Sequence, residues 1–405
     1  MDFKLTPEQE TFRQEFDAWL DRNIPEGWED GSLSRPETTE EWKQAYRQFQ
    51  KKLYDAGYAA MHYPKEYGGQ GRSQMEEVIV MQACARRCLG LRGPGVITHG
   101  MAVPTIFTCG SEQQKKKYLK KIWDGTHIWC QAFSEPNAGS DVANVSTRAV
   151  RDGDDYILNG QKVWISYAHM ADYCIMLVRT DTSGKKHHGL SYILLDMNLP
   201  GVEVRPIRQI TGEAEFNEVY MEDVKVPADM LVMEEGSGWQ IAITTLMFER
   251  VLGDATMAAA YSSNFERMLE MAKTARRSGK LVIEDPLFRQ DLARSYIEVQ
   301  VLKYHGLRNL SNQLGGGVPG PEGSIGKLLW SVPNQLIQER ALNMLGMLGQ
   351  VMGTSPLAMQ NGFWQYGFLR SKANTIEAGT TEIQKNIIGE RVLGLPKEAS
   401  RLARM

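Results

Sequence analysis

The 405-residue chain reads as an α+β protein in three successive parts: an N-terminal α-helical domain over 1–125, a middle antiparallel β domain over 126–236 and a C-terminal four-helix bundle over 237–405. Three observations predict this. Apolar residues recur with a helical period up to about residue 125, alternate with period 2 to about 235, then return to the helical period. Turn signals in the middle part follow too closely for helical crossovers, so its strands run antiparallel. A hydrophobic fraction of 42% over this length provides core for two or three domains.

Thr6-Pro7 with Gln9 supplies an N-cap, a first-turn proline and a capping-box partner, and Phe12, Phe16, Trp19 and Leu20 stripe the helix that follows. A second helix covers 39–56 and stops at Gly57. Pro64, Gly68, Gly69 and Gly71 predict a loop over 62–71, after which helices resume at 74–89, 102–108 and 112–122. In the middle part Asp152-Gly153 and Asn159-Gly160 predict hairpin turns, with strands at 145–150, 156–158, 173–180, 190–196, 202–209 and 217–226. From Gly238 onward the pattern predicts a long helix over 239–278, another over 285–314, a glycine-proline loop and helices at 324–348 and 379–393. Long striped helices joined by short loops imply a bundle.

The 46 Lys+Arg against 49 Asp+Glu leave a net charge of -3, with no global pull towards nucleic acid or anionic membrane. No apolar run approaches the roughly 20 residues a spanning helix needs, and Met1-Asp2-Phe3-Lys4 lacks a secretory layout. Five scattered cysteines make no disulfide framework, which predicts a reduced, cytoplasmic protein. Cys84 and Cys88 have no further ligands nearby, and His187-His188 reads as an exposed loop, so no metal is expected. No G-x-G-x-x-G follows a strand, Gly326-Lys327 lacks the rest of a phosphate loop, and no G-x-S-x-G is present. The lysines at 115–117, 120 and 121 read as a solvated helix face.

Three distant segments carry chemistry. Gln131-Ala-Phe-Ser134-Glu-Pro-Asn-Ala-Gly139-Ser140-Asp141 enters the β part, Asn159-Gly-Gln-Lys-Val-Trp164-Ile-Ser166 follows, and Glu377-Ala378-Gly379-Thr380-Thr381-Glu382-Ile383-Gln384 opens the last helix. Trp164 offers an aromatic face, and Ser166, two residues along a strand, places a hydroxyl on the same side. Gly379 before a helix start leaves free N–H groups that suit phosphate or ribityl oxygens. In this order, on an α–β–α chain, with Tyr63-Pro-Lys-Glu-Tyr-Gly68-Gly69 and Gly389-Glu-Arg-Val-Leu-Gly394, the sequence resembles the acyl-CoA dehydrogenase family over nearly its whole length.

The resemblance implies FAD as cofactor, an acyl-CoA substrate, electron-transfer flavoprotein as electron acceptor and a homotetramer. It places Ser134 at the flavin pyrimidine edge, Gly139 and Ser140 at the pyrophosphate, Trp164 and Ser166 at the isoalloxazine, and Thr380 and Glu382 at the cofactor from the head of the last helix. Arg276 and the Asn343–Gly346 segment match cross-subunit flavin contacts, with Ser278 where an aromatic is usual and Asn343 where glutamine is common. Lys185, with Lys186, matches a loop that approaches the CoA 3′-phosphate.

The reaction needs a dry carboxylate to remove an α-proton. Many family members place it just before the Gly-Thr of the last segment; here Ala378 stands there, with Glu377 one residue early and rotated by about 100° on a helical backbone. A branch that includes the isovaleryl- and long-chain-type enzymes carries it on the long bundle helix before an arginine, and Phe248-Glu249-Arg250 matches. Glu249 is therefore the implied base, with Arg250 orienting the Gly379 loop at the substrate side or balancing charge. The implied product is a trans-2-enoyl-CoA. Two alternatives remain at this point: a flavin oxidase or monooxygenase on the same fold, or a non-catalytic subunit of a heterotetrameric enzyme.

Overall fold

The computed structural model describes residues 4–25, 28, 38–87, 93–251, 253–317, 320–353 and 355–397, without the side chains of 249–251. The N-terminal helices are α1 (Pro7–Asn23), α2 (Thr39–Asp55), α3 (Gln74–Arg86), the short α4 (Gly95–Ile97), α5 (Val103–Cys109) and α6 (Glu112–Trp123). Capping boxes close the starts of α1, α2, α3 and α6, from Thr6/Gln9, Thr38/Glu41, Ser73/Glu76 and Ser111/Gln114. Phe12, Phe16 and Leu20 of α1 turn inward as their spacing predicts. A π-helical turn at Thr98–Ala102 joins α4 to α5. Cys84 is half-buried in α3, and Cys88 lies outside the described residues.

The middle part contains β1 (Trp129–Ala132), β2 (Arg148–Asp152), β3 (Asp155–Ser166), β4 (Tyr173–Arg179), β5 (Leu190–Asp196), β6 (Val202–Ile207) and β7 (Phe216–Pro227). They form one curled sheet in the order β1-β4-β2-β3-β7-β6, with β5 on β4. The hairpins β2–β3, β4–β5 and β6–β7 are antiparallel as expected. β1 runs parallel to β4, because the chain leaves β1 through the 133–147 loop and the β2–β3 hairpin before it returns alongside. Asp152-Gly153 makes its predicted turn, with Gly153 at φ 59°. Asn159-Gly160 does not turn. β3 continues through it, and a register shift against β7 falls between Leu158 and Gly160. A Cβ on Gly160 would lie 2.6 Å from Thr147 Oγ1 and 2.8 Å from Thr147 Cα, so this glycine permits close backbone approach.

The C-terminal helices are α7 (Gly238–Val251), α8 (Gly253–Thr274), α9 (Pro286–Leu314), α10 (Gly323–Leu345), α11 (Phe363–Ser371) and α12 (Thr381–Ile387). The predicted 239–278 helix ends at Thr274, where a small hairpin of β8 (Arg276–Arg277) and β9 (Lys280–Leu281) turns through Ser278 and Gly279 at φ 50° and 80°. α8, α9 and α10 share a core around Met268, Leu302 and Ile337. α7 packs on α5, where Thr105 Oγ1 donates to Thr245 Oγ1 at 2.9 Å, and Tyr192 of β5 meets the same threonine at 3.1 Å. The C-terminal helices are thereby fixed against both the N-terminal helices and the sheet. Among the described residues no helix is long and apolar enough to cross a membrane.

Candidate active site

The loop after β1 is anchored by a buried ion pair. Lys162 Nζ donates to Glu135 Oε1 at 2.9 Å, and also to the carbonyls of Phe133 (3.1 Å) and Leu177 (2.7 Å). Glu135 accepts from Ser146 N (2.7 Å), Ser146 Oγ (2.9 Å) and Thr147 N (2.9 Å). Burial works to raise the Glu135 pKa, but the Lys162 charge and these donors outweigh it and hold the carboxyl at about 2. This pair sets the half-buried Ser134, whose carbonyl accepts Val163 N–H at 3.0 Å, against the end of β3. Gly139 and Ser140 follow on the exposed side of the loop, and nothing lies within 4 Å of where a Gly139 Cβ would sit.

Strand β3 is irregular where the site residues lie. Its register against β7 shifts between Lys162 and Ile165, and Trp164 adopts φ 62° with 59% of its surface exposed. A large aromatic in a left-handed conformation, turned to solvent at a bulge, is not a core tryptophan. Simple strand alternation between Trp164 and Ser166 is therefore replaced by the bulge. Ser166 is half-buried and pairs with Phe216 at the start of β7, and Tyr167 beyond it has φ 57°.

The third segment reaches the same place through residues that sequence reasoning passed over. The Trp164 ring meets Phe216 edge-on at 6.2 Å, and the Arg370 guanidinium from α11 lies 5.5 Å from the Phe216 ring centre. Arg370 binds Glu215 through Nε and Nη2, both at 3.1 Å, and Glu377 through Nη1 and Nη2, both at 3.3 Å. Burial disfavours the Arg370 charge, yet Glu377 and Glu215 together raise its pKa. Thus the segments around Ser134, Trp164 and Glu377 converge. Arg370, Glu215 and Phe216 had no sequence signal, since an arginine on a helix and a glutamate before a strand ordinarily read as surface charge.

At the head of α12, Ala378 and Gly379 have φ 54° and 83°, and Gln384 Nε2 donates to the Ala378 carbonyl at 2.8 Å. Thr380 is the N-cap, accepting Ile383 N–H at 3.2 Å, and Glu382 is exposed. Thr381 Oγ1 is buried without a hydrogen-bond partner. Glu249 and Arg250 fall in the last turn of α7, and their side chains lie outside the described residues. Arg276 and Asn343 are exposed in one neighbourhood, where Arg277 Nη1 donates to the Asn343 carbonyl at 3.0 Å and Gly346 has φ 57° with open space at its Cβ position. Lys185 is exposed, while Lys186 Nζ donates to both Asp141 oxygens at 2.7 and 2.8 Å, joining its loop to the Gly139–Asp141 loop.

These features fit a flavin dinucleotide: an exposed aromatic platform, an orphaned buried hydroxyl at a helix start, and uncovered backbone at Gly139 and Gly346. Comparison with known proteins agrees. Family models for the acyl-CoA dehydrogenase N-terminal, middle and C-terminal domains match residues 6–126, 130–224 and 236–393. The chain is similar to acyl-CoA dehydrogenase IpdE1 of Mycobacterium tuberculosis, 36% identical over 395 residues that cover 96% of this chain and 98% of that one. Among solved structures it is similar to the ChsE4–ChsE5 complex from Mycobacterium tuberculosis, at TM-score 0.85 and 31% identity, with 98% and 100% of the chains covered. It is also similar to the Tcur3481–Tcur3483 steroid ACAD, at TM-score 0.85 and 29% identity, with the same coverage.

Proposed function

The chain belongs to the acyl-CoA dehydrogenase family, and from that premise we propose how its own residues carry out the reaction. It is an oxidoreductase acting on acyl-CoA, with FAD as cofactor as in other members of the family. FAD, when bound, supplies the acceptor for the hydride leaving the substrate β-carbon. In our reading Glu249 removes the α-proton and the product is a trans-2-enoyl-CoA. One observation carries this choice of base. Ala378 has no carboxylate to offer, and the Glu377 carboxylate is engaged by Arg370 and by Asn374 Nδ2, which donates at 2.6 Å. Both oxygens of that carboxylate are thereby engaged within the turn rather than free to meet a substrate. Position 249, in the last turn of α7, carries the remaining candidate.

Ser134, Gly139 and Ser140 hold the cofactor from the first loop, Trp164 and Ser166 from the β3 bulge, and Thr380 and Glu382 from the head of α12. Arg276, Asn343 and Gly346 serve the neighbouring subunit's cofactor in a homotetramer. Arg250 orients the turn around Gly379, Lys185 meets the CoA phosphate, and electron-transfer flavoprotein takes the electrons. The likeness to a two-component complex favours one second reading, assembly with an unlike chain, which native mass measurement of the purified protein separates from a homotetramer.

The test is anaerobic titration of the FAD-loaded protein with acyl-CoAs from short-chain to steroid. Bleaching of the oxidised flavin by one class, and loss of that bleaching in Glu249→Gln, is the expected result. Normal reduction of Glu249→Gln would remove Glu249 from the reaction and return attention to Glu377.

A further inference from the structure

Resting on the reading of Trp164, Ser166 and Gly379-Thr380 as flavin neighbours, we propose that Arg370 is a positioning residue of this site: its guanidinium ties Glu215 to Glu377 and so fixes the β3 end and the α12 turn relative to each other. Both segments hold non-glycine residues in the left-handed region, Trp164 and Tyr167 at φ 62° and 57° and Ala378 at φ 54°. Such conformations persist only where surrounding contacts over-determine them, and they cluster where strain serves a site. The contacts that hold them meet at Arg370.

Glu215 acts at both ends. Its carbonyl accepts Tyr167 N–H at 2.8 Å, pinning the strained residue after Ser166, and its carboxylate takes Arg370 through two parallel bonds of 3.1 Å. Arg370 then reaches Glu377, whose other oxygen accepts Asn374 Nδ2 at 2.6 Å. On the far side of Ala378, Gln384 Nε2 grips its carbonyl at 2.8 Å. The turn is thus clamped from both sides, one side being the β domain. The Phe216 ring lies between the guanidinium and Trp164, so displacement of Arg370 acts on the platform as well.

The charges are nearly closed on themselves. Arg370 faces Glu215 and Glu377, and Lys327 Nζ bonds the Asn374 carbonyl beside Glu377, giving two cations to two carboxylates. The Glu215 side chain is 7% exposed and that of Arg370 24%, so this is not a solvated surface pair of negligible worth. A planar guanidinium spans two carboxylates at once; a lysine ammonium keeps the charge but loses the fork.

Arg370→Met, Arg370→Lys and Glu215→Gln, made in the full chain and loaded with FAD, test this. The first readouts need no substrate: the visible absorption and fluorescence of bound FAD, and its reduction potential. Arg370→Met is expected to shift both and to lower kcat about tenfold or more with KM for the bleaching acyl-CoA changed far less. Arg370→Lys should recover part of each change, and Glu215→Gln should move the flavin signals in the same direction by a smaller amount. Parental flavin signals in Arg370→Met overturn the proposal, and so do parental signals in Glu215→Gln if Arg370→Met does not fold. Failure of the acyl-CoA reading would show in the titration alone and leave these substrate-free signals standing.

Discussion

Lys162 and Glu135 form a fully buried ion pair at 2.9 Å, with 0% and 4% of their side chains exposed, at the point where the Ser134 loop meets β3. Every remaining hydrogen of the ammonium is directed at a carbonyl, of Phe133 or Leu177, and the carboxylate takes three further donors. Lys162→Met is expected to destabilise the protein by about 3–5 kcal/mol, because it leaves an uncompensated buried carboxylate. The Glu135 pKa is depressed to about 2, so its stabilisation is complete above the unfolded value near 4.5 and is lost as pH falls towards 2. Thermal unfolding from pH 6 down to 2 checks this; a Glu135→Gln/Lys162→Met double variant should lack that acid loss, and an equal loss in both proteins would refute it.

Gly160→Ala should cost about 2 kcal/mol or more through steric strain. The new Cβ meets Thr147 Cα at 2.8 Å as well as its hydroxyl, so Thr147→Ala should not rescue it. Denaturant midpoints of the two single variants and the double variant decide the point, and full rescue would show that only the hydroxyl matters.

Trp164→Gly should separate fold from cofactor. The side chain is 59% exposed and its backbone sits at φ 62°, which glycine adopts freely, so the apoprotein should unfold within about 1 kcal/mol of the parent. FAD retention on dilution should fall markedly. Undiminished retention would exclude Trp164 as the flavin platform.

Asp254, at the start of α8, is pushed by burial up to about 7, against the bond that Asn309 Nδ2 donates at 3.0 Å. His305 Nε2 lies 3.4 Å away and burial lowers its own pKa. A raised carboxyl pKa means the folded state holds its proton longer. The contribution is therefore present below the unfolded value near 3.9 and is lost as pH rises through about 7. Asp254→Asn should gain melting temperature relative to the parent steadily from pH 4 to 7 and hold that gain above it. A pH-independent difference would show that Asp254 does not titrate in this window.

Glu249→Gln should keep FAD and lose reduction by acyl-CoA by about 10²-fold or more, the scale of a general base. Glu377→Gln, which weakens an anchor, should fall less. Stopped-flow flavin bleaching compares them, and the reverse order would assign the base to Glu377.

The sequence by itself determined the α–β–α order, the capped helices, most strand positions and the three segments that meet at the site. These are local signals: Thr6 and Gln9 bond within one turn, Asp152-Gly153 turns on its own backbone, and Phe12, Phe16 and Leu20 need only a period to reveal their face. Tertiary structure alone decided that Asn159-Gly160 is a bulge, since the reason is Thr147 from the loop that leads into β2, and that β1 lies parallel to β4. It also decided that the Glu377 carboxylate is bonded by Arg370 and Asn374. Nothing within a few residues distinguishes a free carboxylate from one held by Arg370 and tied through it to Glu215, 162 positions earlier in the chain (377 minus 215). Burial and partnership belong to the folded arrangement of distant segments, and they set which carboxylates accept a proton and which hold the site in place.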